Sequence, residues 1–389
     1  MTAAQLCNRP GLQAGTSALP APDDNEDSFM GKKIVLTGGG TAGHVTPNIA
    51  LMPTLKSLGY EISYIGSYNG IEKTLITEQG IPYSGIDSGK LRRYFDWKNF
   101  SDPFRVVHGY FQARSILKRT RPDLVFSKGG FVSVPVVRAA ASLHIPTIIH
   151  ESDMTPGLAN KLAIPAAWKV CCSFPETLKY LPADKAVLSG SPVRQELFSG
   201  SRQAALSFTG LPDDERPTLL VMGGSQGAAS INKALRRILP DLLREAKVIH
   251  LCGKGNLDAS CENLSGYVQY EYIEGELKDL FALCDFVLSR SGANSICELL
   301  ALRKPSLLIP LPAASSRGDQ ILNARSYEKQ GYSMVLEEKD LTPEKLLACL
   351  KDLYENRQSY IDAMNKSDQS KAISVICGLI QQAAGMSGS

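Results

Sequence analysis

Four loops of this chain carry residue types and spacings that suit chemistry. His44 follows Gly38-Gly39-Gly40-Thr41-Ala42-Gly43, where a short apolar strand gives way to a helix. An imidazole titrating near 6.5 can take up a proton at neutral pH, and the spacing of Gly38, Gly40 and Gly43 lets a backbone approach a phosphate at a helix start. A helix-start histidine bonded to its own backbone is the competing reading. Met222-Gly223-Gly224-Ser225-Gln226-Gly227-Ala228 repeats the strand–turn–helix pattern, and either holds a diphosphate through its N–H groups and the Ser225 hydroxyl or is a plain tight turn. Glu298 lies in an apolar run with Ile296, Cys297, Leu299 and Leu300, where a carboxylate is costly unless paired. Two sugar hydroxyls would pair it, and so would Arg290. Asp319, Gln320 and Asn323 fall in the first turn of a helix behind a glycine-containing loop, placed either to cap that helix or to bond sugar hydroxyls.

Positioning these loops requires strands that end beside one another. From Lys32 onward the pattern alternates: strands at 34–36, 61–65, 82–86, 124–126, 147–149, 170–172 and 187–188, with helical stretches at 46–58, 71–79, 106–118 and 132–143. The register breaks over 198–217, which holds Gly200, Gly210, Pro212 and Pro217 among charges, and an interdomain linker is expected there. Alternation then restarts with strands at 218–222, 248–251, 268–270, 286–288, 306–309 and 333–336. The fold class is α/β: two Rossmann-like, doubly wound parallel-sheet domains facing a cleft, with ligands at the carboxyl ends of the strands. The expected boundaries are a disordered extension over 1–29, a first domain over 30–197, a linker over 198–217, a second domain over 218–356, and a last helical stretch over 357–389 long enough to return to the first domain.

The glycine spacing at 38–43 first suggests a dinucleotide. Such a site needs an acidic residue about 20 positions on, at the tip of the second strand, to hold a ribose. Here that strand ends Tyr64-Ile65-Gly66-Ser67-Tyr68, with no carboxylate, so the dehydrogenase reading loses its main support.

Composition narrows the classes further. The chain has 389 residues, 43% hydrophobic and 21% charged, with no apolar run long enough to span a bilayer. Its nine cysteines form no C-x-x-C pair, which favours reduced core thiols. Residues 30–200 hold 20 Lys and Arg against 12 Asp and Glu, a net +8, whereas residues 201–389 carry −2. The first domain is therefore the one suited to an anionic surface. Leu91-Arg92-Arg93-Tyr94-Phe95-Asp96-Trp97-Lys98-Asn99-Phe100 is its densest aromatic–basic stretch, and Tyr94, Phe95, Trp97 and Phe100 are candidate membrane contacts, with an aromatic-rich core loop as the alternative. No nucleic-acid module is apparent. No Asp-x-Asp or metal-ligand spacing is found, so no metal site is assigned.

Taken together, the loops resemble a family. The Gly-rich loop ending in His44, His150-Glu151 with Pro156-Gly157-Leu158-Ala159-Asn160, Gly190-Ser191-Pro192-Val193-Arg194, the turn at 223–228, the stretch 290–298, and Asp319-Gln320 with Asn323-Ala324 follow one another as in the GT-B nucleotide-sugar glycosyltransferases, and among these the MurG family of peptidoglycan synthesis. The resemblance covers Lys32 to Gly331. It implies transfer of N-acetylglucosamine (GlcNAc) from UDP-GlcNAc to undecaprenyl-pyrophosphoryl-MurNAc-pentapeptide (lipid I), giving lipid II, by a single inverting displacement at the cytoplasmic face of the cell membrane. Carried over by position, Glu298 would hold the uridine ribose and the backbone at Ile273 would meet the uracil. Arg194 and Ser225 would contact the diphosphate, with Ala293, Asn294 and Ser295 beside it, and Gln226 would belong to the same UDP-GlcNAc site. Asp319 and Gln320 would bind the donor sugar. Gly39, Gly40, Thr41, Ala42 and Gly43 would face the acceptor pyrophosphate.

His44 is the preferred general base, with Asp153 and Glu151 next. Where the family commonly has an amide after the His-Glu pair, this chain reads Ser152-Asp153, which leaves the acid–base assignment open. Helix N-termini and Arg194 would carry the charge of departing UDP, so no cofactor is expected to be required. Other cell-wall synthesis proteins are further candidate partners. The alternatives are a UDP-sugar transferase acting on another lipid such as diacylglycerol, a UDP-GlcNAc 2-epimerase-like isomerase, and a non-catalytic nucleotide-sugar binder.

Overall fold

The computed structural model describes residues 31–89, 98–224, 226–273, 275–314 and 318–386, excluding the side chains of residues 98–104 and 370. The expectations for residues 1–29, Tyr94, Phe95, Trp97 and Ser225, and for the side chain of Phe100, lie outside the described residues.

The first sheet contains β1 (Lys33–Thr37), β2 (Glu61–Ser67), β3 (Tyr83–Ile86), β4 (Leu124–Ser127), β5 (Thr147–Glu151), β6 (Lys169–Cys172) and β7 (Ala186–Leu188). The second contains β8 (Thr218–Met222), β9 (Lys247–Leu251), β10 (Tyr267–Tyr270), β11 (Phe286–Ser289), β12 (Ser306–Leu308) and β13 (Ser333–Val335). Every pairing is parallel, in the orders 3-2-1-4-5-6-7 and 10-9-8-11-12-13. The apolar runs expected for strands covered on both faces are buried, including Ile34, Val35 and Leu36 of β1 and Leu219, Leu220 and Val221 of β8. In each sheet the order reverses beside the first strand, between β1 and β4 and between β8 and β11, where α/β folds open a crevice at the strand ends.

Two boundaries differ from expectation. The stretch read as a linker holds a helix, Arg202–Thr209, started by Ser201 Oγ accepting from Ala204 N and ended by Gly210 at φ 66°. Its Ala205 and Leu206 pack with Leu280, Phe281 and Leu283, so the segment is part of the second domain's core. Its eight residues lie between glycines and prolines, too short a run for periodicity to reveal. The last helical stretch is broken into Arg357–Asn365 and Ala372–Met386, with Ser367 Oγ accepting from Gln369 N at the break. Met364 stays with the second domain, whereas Ile376, Cys377, Ile380 and Ala383 pack under β1 and β4 of the first. Lys32 Nζ donates to Ala384 O at 3.0 Å, fixing the end of that last helix. All eight described cysteines are free thiols, and seven are buried.

Candidate active site

The loop after β1 is held from both sides. Tyr64 OH donates to Gly38 O at 2.7 Å, and Asn48 Nδ2 donates to Thr37 O at 3.1 Å. A Cβ on Gly38 would lie 2.6 Å from His44 O, and Gly40 adopts φ 86°, so both positions need glycine. The loop folds into a single 3₁₀ turn, Ala42–His44, that delivers the His44 ring to the cleft. Its Nδ1 stands 3.0 Å from Thr41 Oγ1. Burial and the nearby Lys128 cation bring His44 down to about 4, with a backbone hydrogen bond at Gly39 and, after it, the Glu72 carboxylate pulling the other way. Without a bound anion the imidazole is therefore neutral at pH 7 and able to accept a proton.

Two charged residues that the sequence reading passed over lie directly beneath this loop. Glu72 is fully buried. Its Oε2 accepts from Gly40 N at 3.1 Å, and its Oε1 accepts from Ser67 N at 3.0 Å and Ser67 Oγ at 2.5 Å. The tip of β2 thus does meet a carboxylate, supplied by the helix Ile71–Thr77 and turned inward onto the loop, away from any ribose. Lys128, at the end of β4, is 1% exposed. Its Nζ donates to His150 Nδ1 at 2.8 Å and to Ser152 Oγ. Burial lowers Lys128 to about 8, with Glu151 and Asp153 among the groups opposing the shift. His150 is kept neutral by burial and by Lys128, and its Nε2–H donates to Gly190 O at 2.8 Å. The sequence signal for Lys128 was a cation between an apolar strand and Gly129-Gly130. For Glu72 it was an acid at a helix start behind Gly70.

Glu151 and Asp153 have different surroundings. Glu151 accepts from Asp153 N and Gly157 N, each at 3.0 Å, and from Asn160 Nδ2 at 2.9 Å. It is buried and its pKa is raised by that burial. These bonds make it the brace of the loop 152–160. Asp153, less buried, lines with His44, Glu72, Arg105 and Phe131 a cavity of about 780 Å³ in the first domain.

The second domain converges on the same cleft through three strand ends. The turn after β8 places Gly224 and Gly227 at φ 81° and 74°, with Gln226 exposed, before the helix Ala229–Glu245. β11 leads into the helix Ala293–Ala301, which carries Asn294 and Ser295 in its first turn and Glu298 further along. The loop after β12 enters the helix Asp319–Lys329, where Gln320 Oε1 accepts from Leu311 N at 3.1 Å. Ile273 is buried beyond β10. Glu298 is paired, but by Arg194 (Nη2 to Oε1, 3.4 Å) and not by Arg290. Arg290 instead reaches Glu338, Ile309 O and Ser230 Oγ, because its position at the end of β11 points it along the sheet edge toward β12 and the helix after β8. Burial raises Glu298 and Arg194 opposes this. Arg194 Nε and Asn323 Oδ1 are buried without a partner among the described residues, which leaves polar capacity at this site for a ligand.

The two halves touch. Asn294 Nδ2 donates to Gly43 O at 3.1 Å, so the first turn of the helix after β11 rests on the loop that carries His44. Ser326 Oγ donates to Glu176 Oε2 at 2.8 Å, and the Phe174 and Tyr327 rings meet edge-on at 5.8 Å between centroids.

Comparison with known proteins gives this arrangement a family. Residues 34–172 match the glycosyltransferase family 28 N-terminal domain and residues 218–377 its C-terminal domain. A UDP-N-acetylglucosamine--N-acetylmuramyl-(pentapeptide) pyrophosphoryl-undecaprenol N-acetylglucosamine transferase from Lachnospira eligens is 63% identical over 350 residues, covering 90% of this chain and 99% of the relative. The enzyme of the same name from Lachnoclostridium phytofermentans is 62% identical over 351 residues, with the same coverage. Among solved structures, Acinetobacter baumannii MurG superposes with a TM-score of 0.69 at 26% identity, covering 90% of this chain and 99% of that one. The calicheamicin glycosyltransferase CalG4, at 14% identity and a TM-score of 0.65 over 91% of this chain and 98% of its own, shares the fold. On its sequence, its paired sheets and its cleft, the chain belongs to glycosyltransferase family 28 and, within it, to the MurG family of N-acetylglucosaminyltransferases.

Proposed function

We propose that this chain transfers GlcNAc from UDP-GlcNAc to the MurNAc hydroxyl of lipid I, forming lipid II. The observation that carries this reading is the contact of Asn294 with Gly43, which sets the donor-side turn against the loop bearing His44. In the reaction the acceptor oxygen bonds to the anomeric carbon, the bond from that carbon to the UDP oxygen breaks, and the acceptor proton passes to the His44 imidazole. A single displacement inverts the anomeric centre. Arg194 and the helix starts at Ala229 and Ala293 lie where the charge of departing UDP would gather, and no further cofactor is invoked for that role. Glu298 would release Arg194 to the diphosphate as its own oxygens take the ribose hydroxyls. Asp153 remains the second candidate base, and Glu151 supports it through the loop.

A lipid acceptor implies a membrane-facing surface on the first domain. Among the described residues no helix is long and apolar enough to cross a membrane. Tyr68, Ile71 and Leu158 are exposed at the rim of the acceptor cavity, with Val107 and Phe111 exposed on the helix Lys98–Thr120 beside Arg105. This apolar rim in the domain of net charge +8 suits peripheral binding to an anionic cytoplasmic leaflet. UDP release measured in parallel with lipid I, with diacylglycerol and with no acceptor tests the function. Release with lipid I alone is expected; release with diacylglycerol, or with no acceptor, would overturn the assignment.

A further inference from the structure

We propose that Glu72 is a positioning residue of the reaction: its carboxylate, tied between the tip of β2 and Gly40, fixes the loop on which His44 receives the acceptor proton. The inference rests on the reading of His44 as base. Three glycines close around this one side chain. A Cβ on Gly39, Gly66 or Gly70 would come within 2.5, 2.9 or 2.2 Å of Glu72 atoms, so the backbone at all three positions is shaped to admit a carboxylate. Its three bonds all come from donors, Gly40 N, Ser67 N and Ser67 Oγ. The anchor is itself anchored, because Tyr83 OH donates to Ser67 O at 2.5 Å. A continuous chain of hydrogen bonds therefore runs from β3, through the β2 tip and Glu72, into the loop just before Thr41, whose hydroxyl meets His44 Nδ1.

A buried carboxylate under a loop meant for an anionic acceptor works against binding, so stability alone is a poor reason to keep one there. Its charge also faces the base. Among the charged groups around His44, Lys128 just after β4 lowers it and Glu72 from the helix after β2 raises it, while Glu151 at the end of β5, Asp153 just beyond it and Arg105 line the same cavity. A glutamine would keep the volume but lose the charge. It also has only one acceptor oxygen, so its amide N–H groups would face the Gly40 N–H.

The test compares Glu72→Gln, Ser67→Ala and His44→Ala, with the thermal unfolding transition of the whole chain and UDP binding together as the measures of folded protein. Glu72→Gln is expected to lower kcat by about tenfold to a hundredfold, leave the KM for UDP-GlcNAc unchanged, and move the acid limb of kcat to lower pH. Ser67→Ala keeps the charge and loosens the anchor, so kcat should fall by a smaller factor with the limb unmoved. An unchanged kcat and pH profile in Glu72→Gln, or a loss confined to thermal stability, would overturn the inference. If Glu72→Gln does not fold, Ser67→Ala decides alone, and a wild-type kcat there overturns it. Turnover retained in His44→Ala would instead remove the base reading, whatever Glu72 does.

Discussion

The two glycine turns stand at equivalent places, after β1 and after β8, and are braced in opposite ways. The first rests on a buried carboxylate, with Gly40 N bonded to Glu72 and the Lys128 cation buried nearby. The second rests on neutral backbone. A Cβ on Gly227 would lie 2.1 Å from Cys252 O, and that same carbonyl accepts from Asn232 Nδ2 at 2.8 Å. Near the second turn Arg290 lies 3.0 Å from Ser230 Oγ at the start of the following helix, with Glu338 as its carboxylate partner. Similar topology thus yields two electrostatic settings. A close turn held by neutral groups at a helix start suits a nucleotide diphosphate. A turn with opposing charges packed beneath it suits a group whose proton affinity must change during a reaction.

The comparison breaks most visibly at His44. His44→Ala should reduce turnover by about 10² to 10⁴ and leave UDP-GlcNAc binding intact; equal losses in both would place His44 in binding. Its pH dependence sharpens the point. In the free protein His44 is held at about 4, so it is neutral and competent above that pH and loses competence as pH falls through it. An acceptor diphosphate beside the ring adds negative charge and raises that value. The acid limb of kcat should therefore lie at higher pH than the limb of kcat/KM for the acceptor. Coincident limbs would mean that the acceptor's charge does not reach the ring.

Glu298→Ala strikes the other turn's domain. It should weaken UDP binding by about 1.5–3 kcal/mol, the range for a hydrogen bond to a charged group, and calorimetry would read this directly. kcat at saturating donor should change little. A large fall in kcat with unchanged binding would move Glu298 from nucleotide holding to chemistry.

How far the sequence alone could lead is clear from these same residues. Strand positions and both glycine turns were legible because apolar runs and φ-permissive residues leave local signatures. His44 and Glu298 could be singled out, since each interrupts a local pattern, whereas Arg194 was marked only by the family resemblance of the stretch 190–194. The partnership of Arg194 with Glu298 could not be singled out, because the two lie 104 positions apart and only the tertiary fold joins them. Glu72 escaped for a related reason. Acid residues at helix starts are common and stabilise the helix dipole, so nothing local distinguishes one that turns under a loop 32 positions earlier. The helix Arg202–Thr209 escaped because its amphipathic face has meaning only against Leu280 and Phe281 of another element.

The smallest expected effect lies where the two turns' domains meet. Asn294→Ala removes the bond to Gly43 O, a neutral hydrogen bond worth about 0.5–1.5 kcal/mol. The domains remain joined by Ser326 with Glu176 and by Phe174 against Tyr327, so the fold should survive. If the contact aligns the donor turn with the loop of His44, the loss should appear in kcat/KM for lipid I, by a few-fold, with the Kd for UDP unchanged. Combining Asn294→Ala with Ser326→Ala then asks whether the contacts act as one hinge. Independent contacts add in free energy, whereas a shared closing motion gives a coupling term. Because Asn294 sits in the first turn of the helix that also carries Glu298, additivity would mean that the donor helix and the acceptor loop are aligned by local contact and not by rigid closure of the domains.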